Sequence, residues 1–208
     1  MICNKHWQTV GDGLFADSDI INCISMTLCR YYVMDKKKQR LVNAPYVDNS
    51  YKWAGGGFLS TVHDLCHFGN ALLYSYQWTS QSGRPAGLLR PDTVQMMWSP
   101  VSGTRCTWDS DASYAMGWCV VPPVAHAEFS RDQRMYVSHT GGAVGASSVL
   151  LILPRAEISN DGVEKLIPRG VCVSIIVNKQ SVGLSKTALT VAKLFDCIQQ
   201  QSAKTEHS

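Results

Sequence analysis

Residues 171–177, VCVSIIV, form a near-continuous run of β-branched and other apolar side chains. Such a run is typical of a strand covered on both faces, so it predicts a central strand of a buried sheet. Two further apolar stretches, 135–139 and 147–153, predict strands on either side of a glycine-rich turn, GGAVGA. The alternating stretch Tyr114–Val121 predicts one more strand, because two prolines that cannot donate to a ladder follow it.

Helical periodicity appears in the gaps between these strands. Thr61 and Asp64 have the spacing of a capping box, with Asp64 in the reciprocal role, and predict a helix that runs to about Tyr76. Pro91 is suited to the first position of a short helix that stops before Pro100. Amphipathic spacing over 188–198 predicts a C-terminal helix. The patterns therefore predict a chain that combines strands and helices.

Composition excludes several classes of protein. The chain has 208 residues, 45% of them hydrophobic and 17% charged, which is typical of a folded domain and not of a disordered chain. The net charge of +3 is too small to indicate a nucleic-acid partner, and Lys36–Lys38 are best explained as a solvated turn between two short strands. No apolar run reaches the ~18 residues of a membrane span, so no transmembrane segment is expected.

The cysteines and the first residues bear on the compartment. The 8 cysteines include no C-x-x-C pair, which excludes a zinc ribbon and a thioredoxin-type site. Their scatter predicts free thiols in a reducing compartment, with some disulfide pairing as the alternative. The start MICNKHWQTVGDG resembles neither a signal peptide nor a transit peptide, so a cytoplasmic protein is expected if this start is the natural one.

Two motifs have a chemical interpretation that the sequence does not favour. His63 and His67 lie four residues apart, the spacing of a zinc pair, but Asp64 is explained as a cap and no third ligand follows at a recognisable spacing. We therefore expect exposed helix histidines and no metal. Gly55, Gly56 and Gly57 predict a loop folded over a cleft, because glycines allow positive φ and close backbone approach. A phosphate-binding loop is the alternative, but the Lys-Ser/Thr pair that such a loop needs is missing.

A stronger candidate is His139-Thr140-Gly141-Gly142, which ends a predicted strand. A strand that ends in small residues can bring its backbone N–H groups close to a substrate carbonyl, as the edge strand of an oxyanion hole does. His139 would supply a cation or a hydrogen-bond donor for a substrate carboxylate. A glycine-rich hairpin with a chance histidine explains the motif equally well.

The order of several motifs separates these alternatives. AGGGFLST-x-x-DL-x-x-F is followed by YAMGW, then SHTGG-x-x-G, then strands ending at Pro154 and Asn178. Over residues 30–200 this order resembles the C-terminal half of the serine β-lactamase and penicillin-binding-protein family, with HTG in place of K-T-G. The residues within these motifs resemble those of a mitochondrial member of the family. The resemblance implies an α+β fold with helices packed on an antiparallel sheet. It also implies a peptidase-type serine hydrolase linked to lipid metabolism, a peptide or acyl substrate, possible homo-oligomers and no cofactor.

The chain departs from the family at the nucleophile. The family's serine lies in S-x-x-K, where the lysine one helical turn away can take the hydroxyl proton, and no such motif occurs in this sequence. We therefore expect an unmatched segment (1–29), the C-terminal part of an incomplete β-lactamase-like domain (30–200) and a polar tail (201–208). The missing parts would be the N-terminal strands and the nucleophile helix, which would leave the edge of 171–177 bare and the chain inactive. A non-catalytic assembly or regulatory fragment is the alternative function.

Overall fold

The computed structural model describes residues 30–45, 47–48, 60–80, 83–123, 134–155 and 169–205. The elements form runs of strands and runs of helices, which is typical of an α+β fold. In chain order they are β1 (Tyr32–Asp35), β2 (Arg40–Asn43), α1 (Val62–Gln77), α2 (Pro91–Met97), β3 (Ser113–Tyr114), β4 (Cys119–Val121), β5 (Tyr136–Ala143), β6 (Ala146–Pro154), β7 (Gly170–Val177) and α3 (Ser185–Thr205).

The main sheet has five antiparallel strands in the order β3-β4-β5-β6-β7. The α+β prediction is confirmed, but the prediction that 171–177 forms a central strand is wrong. Within the described residues β7 pairs only with β6 and lies at the end of the sheet. Its apolar run reflects cover on both faces: Val171 and Val173 pack in one core, while Cys172 packs against the other.

Two hydrophobic cores lie on opposite faces of the sheet. One contains Val149, Leu151 and Leu153 of β6 and is closed by Leu184, Ala188 and Ala192 at the start of α3. The other contains Leu150 and Ile152, which alternate with them, together with α1 and α2 residues that include Leu72, Leu73 and Val94. Because side chains alternate along a strand, β6 contributes to both cores.

The sequence predicted one strand over Tyr114–Val121, but the structure divides it into β3 and β4. The two strands are joined by a tight turn in which the Ala115 N–H donates to the Trp118 carbonyl at 2.7 Å. Gly117 in that turn has φ +77°, a conformation that L side chains rarely adopt. The alternation predicted β structure correctly and did not reveal the reversal at Gly117.

The predicted glycine-rich turn GGAVGA is shorter than expected. β5 continues through Gly141 and Gly142 to Ala143, and only Val144 and Gly145 form the hairpin loop before β6. Gly145 has φ +84°, and a Cβ there would lie 2.5 Å from the Tyr31 Cβ. The chain packs this closely because the Tyr32 N–H, in β1, donates to the Gly145 carbonyl at 3.3 Å.

The hairpin β1–β2 confirms the strand-turn-strand prediction and packs at the end of β7. The Lys37 and Lys38 N–H groups donate to the Asp35 carboxylate, so the basic segment is an exposed turn. The Tyr32 N–H also donates to the Asn178 carbonyl at 3.1 Å, just beyond β7.

The helix boundaries follow the capping signals. The Thr61 hydroxyl accepts from the Asp64 N–H at 3.1 Å and caps α1. The reciprocal contact differs from a capping box, because the Asp64 carboxylate accepts from the Thr61 hydroxyl at 2.9 Å. Pro91 begins α2 as predicted. α3 extends to Thr205, beyond the predicted 198, and residues 199–205 contain only residue types that a helix accommodates, without glycine or proline.

The prediction of scattered free thiols is wrong for one pair of cysteines. Cys106 and Cys119 form a disulfide with a Cα–Cα distance of 5.8 Å, because the loop before β3 returns to lie against β4. Cys66, Cys172 and Cys197 are free thiols. Burial raises the pKa of the Cys172 thiol to about 12, with a smaller contribution from nearby Cys66.

An ion cluster joins α3 to the ends of two strands. Asp196 is buried and pairs with Arg134, just before β5, and with Arg155, just after β6. Burial alone would raise the pKa of the Asp196 carboxyl, but the hydrogen bonds and charges of the two arginines outweigh burial and hold the pKa below its ordinary value.

No helix in the described part of the chain has both the length and the apolar character needed to cross a membrane.

Candidate functional site

The two halves of β5 have different neighbours. β4 pairs with β5 only from Tyr136 to Ser138, whereas β6 pairs with it as far as Ala143. Within the described residues, the stretch from His139 to Ala143 therefore has a strand on one side only. The predicted residues His139, Thr140, Gly141 and Gly142 all lie in this stretch, which we call the open half of β5.

His139 is exposed and belongs to a cluster of three rings. Its Nε2 lies 3.1 Å from the Tyr114 hydroxyl, close enough for a hydrogen bond. Its ring centroid lies 5.4 Å from that of Trp108 and 6.2 Å from that of Tyr114, both in edge-on arrangements. Such contacts favour one orientation of the imidazole at the start of the open half.

Trp108 and Tyr114 were not predicted as site residues. Tyr114 begins the YAMGW motif, so its position was available as a family signal, whereas no pattern pointed to Trp108. The structure places both because the loop before β3 is attached on either side of Trp108. On one side Cys106 is bonded to Cys119, and on the other the Tyr136 hydroxyl donates to the Asp109 carboxylate at 2.6 Å.

The hydrogen bond from Tyr136 to Asp109 requires that the Tyr136 hydroxyl keep its proton. Burial raises the pKa of the Tyr136 hydroxyl far above its ordinary value, and the neighbouring carboxylates of Asp109 and Asp111 raise it further. Tyr136 therefore remains a neutral donor at physiological pH, and Asp109 remains the acceptor that holds the loop.

Gly141 and Gly142 have different surroundings. A Cβ on Gly141 would lie 2.2 Å from the Ser148 Oγ on the paired strand β6, so a side chain at this position would force Ser148 to change its rotamer. A Cβ on Gly142 would meet no atom within 4 Å. The space beside Gly142 is therefore open. A side chain at this position would clash with no atom of the described residues and could exclude only a group from outside them.

The other predicted residues lie outside the described part of the chain or on another element. Gly55, Gly56 and Gly57 lie outside the described residues. His63 and His67 lie on the exposed surface of α1, with their Nε2 atoms 3.2 Å apart. The described residues contain no cluster of three or more His, Cys, Asp or Glu side chains that could hold a metal ion.

The arrangement is suited to binding an extended chain. An unpaired strand edge presents backbone N–H and C=O groups to a partner strand or to a substrate. The open half combines such an edge with an exposed imidazole, two adjacent aromatic rings and an unobstructed glycine.

The comparisons with known proteins give the same family as the motifs. No protein-family model matches the chain. It is 58% identical over 172 residues to serine beta-lactamase-like protein LACTB, mitochondrial, of Mus musculus. It is 57% identical over 172 residues to the protein of that name in Homo sapiens, and 56% identical over 174 residues to that in Bos taurus. These matches cover 80% of the chain and 31% of each relative. The resemblance to this group is thereby confirmed, and the chain spans about a third of the length of these relatives.

Proposed function

We propose that this chain is the substrate-binding part of a β-lactamase-related serine hydrolase of the peptidase type. The observation that supports the proposal best is the open half of β5, where an accessible strand edge and His139 occur together in the motif that family members use at their active site. The names of the relatives support a mitochondrial location. We also propose for this chain the link to lipid metabolism that the sequence resemblance implies.

The open half would bind a peptide or acyl substrate in an extended conformation. Backbone pairing to residues 139–143 would align the substrate, and His139 would donate to its carboxylate or to a neighbouring catalytic group. The Gly142 N–H would supply one of the two donors of an oxyanion hole, because the backbone beside Gly142 is unobstructed.

The chain by itself would carry out no acyl-enzyme chemistry. The sequence contains no S-x-x-K motif, so these 208 residues lack both the family's nucleophile and the lysine that activates it. Binding and one oxyanion donor would remain, and these would not form a covalent intermediate.

The test combines a covalent probe with a binding measurement. The purified chain should not react with a fluorophosphonate, and labelling at a stoichiometry near one would contradict the proposed inactivity. A short N-acyl peptide with a free carboxylate should shift the amide resonances of residues 139–143 in a nuclear magnetic resonance titration. The matched variant is His139→Gln, which should weaken the peptide's effect. Shifts confined to other strands would contradict the assignment of the open half.

A second candidate function is assembly with other chains. Within the described residues β7 has a strand on one side only, and α3 exposes Leu194, Phe195 and Ile198 by 60%, 56% and 56%. Unpaired edges and exposed apolar faces favour association. We expect sedimentation of the isolated chain to show self-association and its melt to be broad. A monomer with one cooperative transition would contradict the interpretation as an incomplete domain.

A further inference from the structure

We propose that His63 and His67 on α1 form a binding site for a divalent transition-metal ion. The spacing alone favours two unrelated surface histidines. The structure adds a second observation, which is that the two Nε2 atoms converge to 3.2 Å while both rings remain exposed. This site lies on a different element from the open half of β5 and does not depend on the proposed hydrolase function.

The distance is suited to chelation. Zinc–imidazole bonds of about 2.0–2.1 Å, combined with an Nε2–Nε2 distance of 3.2 Å, give an N–M–N angle of about 100°. That angle lies between the ~90° of an octahedral site and the ~109° of a tetrahedral one. An ion at bonding distance from both nitrogens would therefore meet them at an angle that either geometry accepts.

The helix holds the two rings in this relation. Residues four apart lie on the same face of a helix, one above the other. The rings of His63 and His67 pack edge-on with centroids 4.3 Å apart, and the Thr61 cap fixes the start of the helix two residues before His63. In the metal-free chain one ring can donate its Nε2–H to the other. When an ion binds, the donating ring would take the Nδ1–H tautomer, which keeps it neutral and leaves a lone pair on each Nε2 for the metal.

The donor set indicates which ions would bind. Two neutral imidazole nitrogens prefer Cu²⁺, Ni²⁺ and Zn²⁺ over Mg²⁺ or Ca²⁺, which prefer oxygen. Because the described residues offer no cluster of three ligands, the remaining coordination positions would be open to water. The Asp64 carboxylate, which lies between the two histidines in sequence, accepts from the Thr61 hydroxyl and belongs to the helix cap.

The experiment is a calorimetric titration of the whole chain with Zn²⁺ alone, followed by Cu²⁺. We expect one ion per chain with tighter binding of Cu²⁺, since Cu²⁺ exceeds Zn²⁺ at nitrogen sites. His63→Gln and His67→Gln should each weaken Zn²⁺ binding by at least about tenfold. The reason is that the second imidazole binds within the same molecule, at an effective concentration in the millimolar range or above.

The control is His139→Gln, which removes an exposed imidazole from another element and should leave the Zn²⁺ affinity unchanged. Glutamine is a good helix former, so circular dichroism of the α1 variants should match the parent chain. Zn²⁺ should raise the melting temperature of the parent and not that of the His63→Gln/His67→Gln double variant. The proposal is overturned if both single variants bind Zn²⁺ as tightly as the parent, or if only His139→Gln weakens binding.

Discussion

The two halves of β5 share one strand but have different environments. From Tyr136 to Ser138 the strand lies between β4 and β6, and all of these residues are buried. From His139 to Ala143 it pairs with β6 only, and four of the five residues are exposed. The difference arises because β4 begins only at Cys119, after the turn around Gly117, and Cys119 is paired with Ser138.

One sheet can therefore supply both a packed core and an accessible binding edge. The buried half is enclosed by strands on both sides and is anchored by the ion cluster at Arg134. The open half retains one ladder, which fixes its backbone and leaves its other edge accessible. A rigid scaffold with one free edge is what a binding site on a strand needs.

The largest effect is expected where the buried half is anchored to α3. Asp196→Asn would leave Arg134 and Arg155 partly buried without their carboxylate. Removing one partner of such a cluster typically costs about 3 kcal/mol, so the melting temperature at pH 7 should fall clearly. A variant that melts like the parent at pH 7 would show that the cluster does not hold this end of the strand.

The same variant gives a pH test. Because the pKa of Asp196 is lowered in the folded chain, its stabilising contribution is present above the ordinary aspartate pKa of about 3.9. That contribution is lost as the pH falls through the lowered pKa. The difference in melting temperature between parent and Asp196→Asn should therefore narrow under acidic conditions and be widest near neutrality.

The next prediction compares one residue from each half. Val137→Ala removes two methyl groups from a fully buried position and should lower the free energy of unfolding by about 2 kcal/mol. His139→Ala alters an exposed side chain and should change stability by less than about 0.5 kcal/mol. In a full-length relative, the equivalent histidine change should depress turnover more than stability. Chemical denaturation measures both variants, and equal losses would remove the distinction between the halves.

A smaller effect is expected within the open half. Gly141→Val would bring its Cβ onto the Ser148 Oγ and force that side chain to rotate, which should cost about 1 kcal/mol. Adding Ser148→Ala should recover most of the loss, because the clashing atom is then absent. Gly142→Val is the control: it meets no neighbour, so stability should be unchanged while peptide binding falls. If Gly142→Val destabilises the chain as much as Gly141→Val, the two glycines do not differ as described.

The sequence predicted much of this fold, because burial leaves a periodic signal. The helix starts at Thr61 and Pro91 and the strands of the hairpin β5–β6 follow from caps and apolar runs. The order of the strands does not leave such a signal: Val171–Val177 is apolar because helices cover both faces, and this pattern does not report how many strands flank it. The break at Gly117 was missed because alternation continues on both sides of the turn.

The candidate site was only partly predictable for the same reason. His139 and the glycines stand together in sequence, so their motif could be recognised. Trp108 and Tyr114 reach His139 through a disulfide and a tyrosine–aspartate hydrogen bond, which join residues distant in sequence. Contacts of this kind depend on how the loop before β3 folds back, and no local pattern describes them.

The smallest expected effect concerns the boundary between the two halves. Tyr114→Phe keeps the ring beside Trp108 and removes only the hydroxyl that lies 3.1 Å from the His139 Nε2. Because His139 is exposed, we expect a loss of no more than about 0.5–1 kcal/mol in the free energy of unfolding. Peptide binding to the open half should weaken by about threefold, since the imidazole loses one contact that orients it.

The direct readout is the ¹⁵N resonances of the His139 ring, which should move toward an averaged tautomer in the variant. As the control, the resonances of Tyr136, in the buried half, should stay unchanged. Unchanged His139 resonances would mean that the hydroxyl does not orient the ring.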